Sequence, residues 1–175
     1  FHAQDLLTGF TEWQTELKKI QYNSISSYTI LTKQVIPSLK NTFGVVFVEN
    51  KDKLRINTLG ILVSHNIFSP NYAGLMSYTI ISKKLNRSNE ELVENLQLFN
   101  SKFQKNDIKH INSTNLDKGL PIYNYKRYLA VNRLQQLAKN RPGICLFGNY
   151  VAGISIREMI TAAKAFGLKN SRSYE

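Results

Sequence analysis

The residues best suited to hold a ligand lie in one stretch near the C-terminus, residues 142–156, which reads PGICLFGNYVAGISI. The apolar residues 144–147 predict a short buried strand, and a turn with two glycines follows it. Because glycine has no Cβ, Gly148 and Gly153 would let the backbone approach a ligand closely. This pattern predicts a strand and a turn that present backbone N–H groups to an anionic or electron-rich ligand.

A helix is predicted over residues 155–166, directly after that turn. Ser155 is a candidate N-cap, and Glu158 three residues later completes a capping-box pattern. Gly167 is the expected C-terminal cap. The N-terminus of a helix carries a partial positive charge, which favours an anion. A well-capped helix start without any ligand has the same pattern, so both interpretations stay open on spacing alone.

Elsewhere, the reactive side chains do not form a recognisable active site. The three histidines, His2, His65 and His110, lack metal-ligand spacing, so we predict no metal site and expect surface or structural roles for them. Cys145 lies inside the predicted strand, and we expect a small buried hydrophobic residue instead of a nucleophile. The sequence contains no Gly-x-Ser-x-Gly elbow and no phosphate-binding loop with a lysine. The catalytic residues therefore stay unknown.

The order of the predicted elements indicates an α+β fold. Hydrophobic periodicity predicts helices at 4–20, 88–103, 125–139 and 155–166. Runs of β-forming residues predict strands at 27–36, 43–49, 59–64, 77–81, 108–111 and 144–147. Because most strands precede most helices, we expect a mostly antiparallel or mixed sheet with flanking helices over residues 1–115. Residues 116–175 would contribute a strand–turn–helix that adds to another sheet.

The composition is that of a folded chain with a basic surface. The 175 residues are 42% hydrophobic and 11% aromatic, and the net charge is +11 with a sequence pI near 9.8. Such a charge often accompanies nucleic-acid or anionic-membrane partners, but here the cations are scattered and mostly at element ends. No stretch approaches the roughly 20 apolar residues of a membrane span. The single cysteine fits a reducing compartment, so we expect a cytoplasmic protein.

The C-terminal stretch resembles a known motif. Residues 148–155, GNYVAGIS, resemble the Gly-Asn/Asp-Tyr-x-Gly-Gly-Val-Ser motif that ends oxygen-dependent protoporphyrinogen oxidases, within the flavin-containing amine oxidase superfamily. Further similar segments occur upstream in the same order. They are TFGVVFV at 42–48, TLGILVSHNIFSP at 58–70, LPIY at 120–123 and RPG at 141–143.

The resemblance implies FAD as cofactor and assigns roles to five residues. Gly148 and Asn149 would lie near the FAD diphosphate and ribityl chain. The backbone of Gly153, Ile154 and Ser155 would lie under the flavin ring, with the helix N-terminus aimed at its N1–C2=O edge. A reduced flavin carries negative charge near N1, which such a helix end stabilises.

The resemblance also implies an activity and a domain plan. Residues 1–115 would be a portion of the substrate domain, and residues 116–175 the returning segment of the FAD-binding domain. The whole enzyme would oxidise protoporphyrinogen IX to protoporphyrin IX with oxygen in haem biosynthesis. Its partner would be a tetrapyrrole and not nucleic acid, and peripheral association with the inner membrane is compatible with the family.

Several departures limit what this chain would do alone. Ile122, Ala152 and Arg157 replace the Gln, Gly and Pro of the family, and the Gly-x-Gly-x-x-Gly fingerprint that binds the dinucleotide is absent from the sequence. We therefore expect a processed or truncated piece, starting at Phe1, that is inactive without the remainder of the flavoprotein. The alternatives are an amine oxidase or carotenoid desaturase type of flavoprotein, a basic non-enzymatic binding module, or an inactive fragment kept for its interactions.

Overall fold

Five antiparallel strands form the central sheet in the structure, which is a computed structural model. It describes residues 7–47, 57–68, 74–83, 85–141, 143–153 and 155–171. The strands lie in the order β2-β3-β4-β1-β5. They are β1 (Tyr22–Thr32), β2 (Gly44–Val46), β3 (Thr58–Val63), β4 (Met76–Ser82) and β5 (Ile108–Pro121).

Six helices accompany the sheet within the described ranges. They are α1 (Thr11–Lys18), α2 (Ser64–Ile67), α3 (Asn89–Gln97), α4 (Tyr125–Lys139), α5 (Asn149–Ala152) and α6 (Ile156–Ser171). Two short 3₁₀ turns complete the elements, at Pro37–Leu39 and Lys105–Asp107. The structure is α+β, as the sequence predicts.

The chain divides into two compact units, each with its own core. The sheet unit is Ser24–Asp117, and the terminal unit combines Phe1–Asn23 with Lys118–Glu175. The N-terminal segment groups with the C-terminal residues because the apolar face of α1 is buried against α4. The assignment of residues 1–115 to a substrate domain and of residues 116–175 to an FAD-binding domain stays a prediction.

Alternation along the strands builds the core of the sheet unit. Ile30 pairs with Tyr78, and Ile61 pairs with Ile80, and all four side chains are buried on one face. Helix α3 covers that face with its apolar stripe, which includes Leu96. Burial of one large aliphatic side chain stabilises the fold by about 1.5–3 kcal/mol relative to its exposure. The register that places these side chains on the buried face is therefore strongly favoured.

The helix α3 starts as the sequence predicts. The Ser88 hydroxyl accepts from the Glu91 N–H at 3.3 Å, and the Ser88 N–H donates to Glu91 Oε2 at 3.0 Å. This capping box satisfies two N–H groups that the helix itself cannot. The helix ends at Gln97, earlier than the predicted residue 103, and Phe103 nevertheless lies in the core.

A helix pair and one tyrosine form the core of the terminal unit. Trp13 and Leu17 of α1 are buried with Val131 and Leu134 of α4, and Tyr150 of α5 joins them. By contrast, every described side chain of α6 between positions 156 and 167 is exposed, apart from two that are half-buried, Met159 and Ala162.

The structure corrects several predictions near the C-terminus. Residues 144–147 form no strand and pair with no described strand, because a β-strand exists only where a neighbour completes its hydrogen bonds. Cys145 is exposed, so the prediction of a buried residue is wrong. Helix α6 continues through Gly167, which is therefore not a cap.

Other element boundaries differ in ways that pairing explains. Strand β5 extends to Pro121, ten residues beyond its predicted end, although its sequence is polar. It lies at the sheet edge beside β1, where the Ser24 hydroxyl donates to the Asp117 carbonyl at 2.8 Å. Pairing with β1, and not an apolar sequence pattern, therefore accounts for the length of this strand.

At the other end of the chain, helix α1 begins at Thr11, and the first residues of the predicted helix 4–20 lie outside the described ranges.

Candidate functional site

The predicted ligand-binding residues come together in one turn of the terminal unit. Gly148 precedes the single helical turn α5, Asn149 begins it, and Gly153 follows it. Ser155 stands immediately before α6. Ile154 lies outside the described residues. We call residues 148–153 the glycine turn.

Both glycines of this turn have backbone conformations that other residues rarely adopt. Gly148 has φ +135° with ψ 176°, and Gly153 has φ +129° with ψ 170°. This region of backbone space is open almost only to glycine. The two glycines therefore determine how the chain enters and leaves α5, and a side chain at either position would strain the turn.

The space around the two α-carbons differs. A Cβ at Gly148 would lie 3.1 Å from Cε1 of Tyr150, whose ring is buried in the core of the unit. A Cβ at Gly153 would lie 2.6 Å from Oε2 of Glu158. Part of the need for glycine is thus internal to the protein, and the close approach to a ligand stays a prediction from the sequence.

The start of α6 has the predicted capping box. Ser155 donates to Glu158 Oε2 from its N–H at 3.1 Å and from its hydroxyl at 2.9 Å, and the Glu158 N–H donates to the Ser155 hydroxyl at 3.1 Å. The N-cap prediction is confirmed. The carboxylate also puts a negative charge at the helix N-terminus, which offsets part of the helix dipole there.

Tyr123, just before α4, and Arg127, in the first turn of α4, bind the glycine turn through hydrogen bonds. The Tyr123 hydroxyl donates to the Asn149 carbonyl, and Arg127 Nη2 donates to the Val151 carbonyl at 3.5 Å. The Arg127 guanidinium carbon lies 4.0 Å from the centroid of the Tyr123 ring. Asn124 caps α4 by accepting from the Arg127 N–H at 2.9 Å, which places Arg127 in the first helical turn.

Sequence reasoning missed Tyr123 and Arg127 as site residues. Tyr123 belongs to the LPIY segment, and Asn124 before a helical pattern is an N-cap signal. Neither signal connects them with residues 149–151, about two dozen positions later. Only the tertiary structure brings these groups together.

The phenols around the turn have pKa values above the ordinary tyrosine value of 10.0. Burial raises the pKa of Tyr123, against a smaller opposing effect of the Arg127 charge and a small addition from Glu158. Burial also raises the pKa of Tyr22 and of Tyr150. A neutral Tyr123 remains a hydrogen-bond donor to the turn over the whole physiological range of pH.

His65 and His110 have other surroundings. His65 Nδ1 accepts from the Ser77 N–H at 3.1 Å and its ring meets Tyr78 edge-on, which is a structural role. His110 is exposed, and His2 lies outside the described residues. Within the described ranges, no group of three His, Cys, Asp or Glu side chains could hold a metal ion.

The geometry suits a binding contact made mainly by backbone. The glycine turn offers two α-carbons without side chains, and the first N–H groups of a helical turn have no acceptor within that turn. The buried Nε of Arg127 has no hydrogen-bond partner, so a positive charge beneath the turn is left incompletely satisfied. These features are compatible with the predicted contact to an anionic or electron-rich group.

Comparison with known proteins shows which solved structures share the fold of this chain. No known protein-family profile matches the chain. No curated protein sequence matches it. A crystal structure from Exiguobacterium sp. 255-15, with a provisional assignment as a protoporphyrinogen oxidase, is similar with a TM-score of 0.65 and 16% identity. The match covers 87% of this chain and 35% of that one.

A second solved structure, reduced UDP-galactopyranose mutase, is similar with a TM-score of 0.66 and 18% identity, over 95% of this chain and 37% of that one. The likeness shows that this chain shares its fold with a part of each of these two structures. The chain spans little more than a third of the length of both structures. Because the two similar proteins bear the names of different enzymes, the shared fold does not determine a reaction.

Proposed function

We propose that this chain is the flavin-contacting C-terminal part of an FAD-dependent oxidoreductase. The observation that carries the proposal is the glycine turn, with two glycine-only conformations that lead into a capped helix. It occurs where the family resemblance places the flavin contacts, in a fold that the two solved structures share. Gly148 and Asn149 would contact the diphosphate side of FAD, and Gly153, Ile154 and Ser155 the ring.

The chemistry that bound FAD supplies is the acceptance of hydride equivalents from a reduced substrate and their transfer to oxygen. The residues of this chain bind and orient. The unsubstituted α-carbons of Gly148 and Gly153 allow close contact, and the first turn of α6 contributes the part of its dipole charge that the Glu158 carboxylate does not offset. No side chain of the turn is proposed to transfer a proton.

A complete FAD site requires a partner polypeptide segment, which we propose is the remainder of the flavoprotein. The dinucleotide fingerprint is absent from the sequence, and this chain covers only 35% and 37% of the two similar structures. Large apolar side chains of the terminal unit are exposed beside the glycine turn, with Phe147 at 44% and Ile156 at 72%. Exposed apolar groups that flank one functional turn mark a surface that another segment covers.

For the whole protein, we propose protoporphyrinogen oxidation in haem biosynthesis. The support is the colinear resemblance along the sequence, together with a basic chain of net charge +11, which suits a tetrapyrrole that bears carboxylates. An amine oxidase or desaturase type of flavoprotein is the alternative, and the substrate decides between them. Peripheral membrane association is part of the same proposal and rests on the resemblance alone.

The deciding experiment is a visible absorbance spectrum of the purified chain and of the longer protein that contains it, each with and without added FAD. We expect the longer protein to hold about one flavin per chain and the isolated chain to hold little. Absence of flavin from the longer protein, after reconstitution with excess FAD, would contradict the proposed function. Oxidation of protoporphyrinogen by the flavin-loaded protein, compared with an amine substrate, then tests the reaction.

A further inference from the structure

Three carbonyl groups of the glycine turn are bound by the protein itself. The Gly148 carbonyl accepts from the Val151 and Ala152 N–H groups at 3.0 and 2.9 Å. The Asn149 carbonyl accepts from Tyr123, and the Val151 carbonyl accepts from Arg127. Two of these three contacts come from side chains that lie about two dozen residues earlier in the chain.

The charge of Arg127 is unusual among the arginines of its helix. Arg133, two turns later on α4, forms an exposed ion pair with Glu12 at 2.8 Å. Arg127 has no carboxylate partner within the described residues, stacks on the Tyr123 ring, and keeps its Nε buried without a hydrogen-bond partner. A guanidinium in this setting exerts its charge more strongly than an exposed one, because less water screens it.

We propose that Tyr123 and Arg127 are positioning residues for the flavin contact: they bind the carbonyl side of the glycine turn, and Arg127 supplies the positive charge beneath it. This inference rests on the proposed function. Tyr123 and Arg127 bind the turn through the Asn149 and Val151 carbonyls. A positive charge on that side favours the reduced, anionic form of a flavin held at the turn.

The first test measures the turn without flavin, by amide hydrogen exchange of residues 148–155 in this chain. Tyr123→Phe removes the hydroxyl donor and keeps the ring, and Arg127→Met removes the charge and both contacts. Each should speed exchange in the turn about 10-fold, the effect of losing one hydrogen bond to a charged or partly buried group. Arg133→Met is the matched control, with the same charge change on the same helix, and should leave the turn unchanged.

Equal exchange in Arg127→Met, Tyr123→Phe and the control would overturn the inference. Exchange in the sheet unit serves as an internal reference for folding, because neither residue belongs to it. If the sheet unit of Arg127→Met also loses protection, Arg127→Lys replaces that variant, because lysine keeps the charge and loses the planar stacking.

The second test measures the flavin midpoint potential and the FAD dissociation constant in the longer protein. Arg127→Met should lower the midpoint potential and weaken FAD binding about 10-fold, the size expected for the loss of one charged hydrogen-bonding group. Arg127→Lys should restore the potential. A potential unchanged in Arg127→Met would overturn the electrostatic role.

A wild-type protein that binds no flavin would overturn the proposed function and the flavin role of Arg127 with it. The exchange experiment would still decide whether the two residues hold the turn. The two failures are therefore distinguishable.

Discussion

At the scale of single residues, Gly153 has two separable roles in the structure. Its φ of +129° excludes other residues on conformational grounds, and a Cβ there would meet the Glu158 carboxylate. The first role shapes the glycine turn, and the second leaves room for the cap of α6. A flavin contact at this position would add a third reason for glycine.

We predict that Gly153→Val in the longer protein weakens FAD binding, because a side chain would intrude on the ligand and distort the turn. Flavin content and the dissociation constant from flavin fluorescence measure the effect. Gly167→Val is the control, since Gly167 lies in α6 with open space around its α-carbon. Equal flavin content in both variants would rule out the assigned contact.

A second prediction at this scale concerns alkaline pH. The pKa values of Tyr22, Tyr78, Tyr123 and Tyr150 are raised above 10.0, with burial as the largest cause in each. The folded state thus favours the protonated phenol. Its contribution to stability is complete below the ordinary tyrosine pKa and is lost as the pH rises through the folded values.

The free energy of unfolding should therefore fall above the ordinary tyrosine pKa, and the phenols of the folded protein should ionise later than those of the unfolded chain. Phenolate absorbance during a pH titration, with and without denaturant, measures both states. Tyr78→Phe should remove one late-ionising group. Superimposable titration curves for folded and unfolded chains would contradict the prediction.

At the scale of elements, the two capping boxes have different surroundings. Helix α3 carries its box at Ser88 and is packed on the sheet, with Leu92 and Leu96 buried. Helix α6 carries its box at Ser155, and its described side chains up to residue 167 are mostly exposed. The same local motif therefore supports a core helix in one case and a largely unpacked helix in the other.

We predict that Ser88→Ala lowers the free energy of unfolding by about 1 kcal/mol, the usual cost of a lost N-cap. Ser155→Ala should instead speed amide exchange in the first turns of α6 and leave the global stability almost unchanged, because little packing depends on that helix. Chemical denaturation and hydrogen exchange of both variants measure the contrast. A global loss of equal size in Ser155→Ala would show that α6 is packed more firmly than described.

The segment 144–147 shows what an element requires beyond its sequence. Ile144 and Leu146 pack partly against the terminal unit, whereas Phe147 and Cys145 are exposed. The alternation of a strand is present without hydrogen-bonded pairing to a described neighbour. In the proposed whole flavoprotein, the remainder of the chain would supply that neighbour.

At the scale of the whole molecule, the two units carry separate apolar cores. One core is centred on the sheet and α3, and the other on α1, α4 and Tyr150. The glycine turn depends on the second core through Tyr150. In the described part of the chain, none of the helices combines the length and apolar character that crossing a membrane would need.

We predict that Leu134→Ala lowers the free energy of unfolding by about 2–5 kcal/mol, as expected for a large-to-small change at a fully buried leucine. In this variant, protection against hydrogen exchange should fall first in the terminal unit, including the glycine turn. Leu96→Ala is the matched variant in the sheet unit and should affect that unit first. Loss of protection spread evenly over both units in each variant would contradict the separation of the cores.

Local patterns determined much of the fold from sequence alone. Helix α4 occupies the predicted residues 125–139, and the capping boxes at Ser88 and Ser155 form as predicted. Such features depend on neighbours three or four positions away, so their physical cause is contained in a short stretch of sequence. The glycines of the turn were predictable for the same reason.

Tertiary structure alone decided the features that depend on distant partners. Pairing with β1 extended the polar strand β5, and the lack of a described neighbour left residues 144–147 unpaired. Helix α1 joined the terminal unit because its apolar face is buried against α4. Tyr123 and Arg127 reached the glycine turn across about two dozen residues, since hydrogen bonds and burial depend on proximity in space and not on separation along the chain.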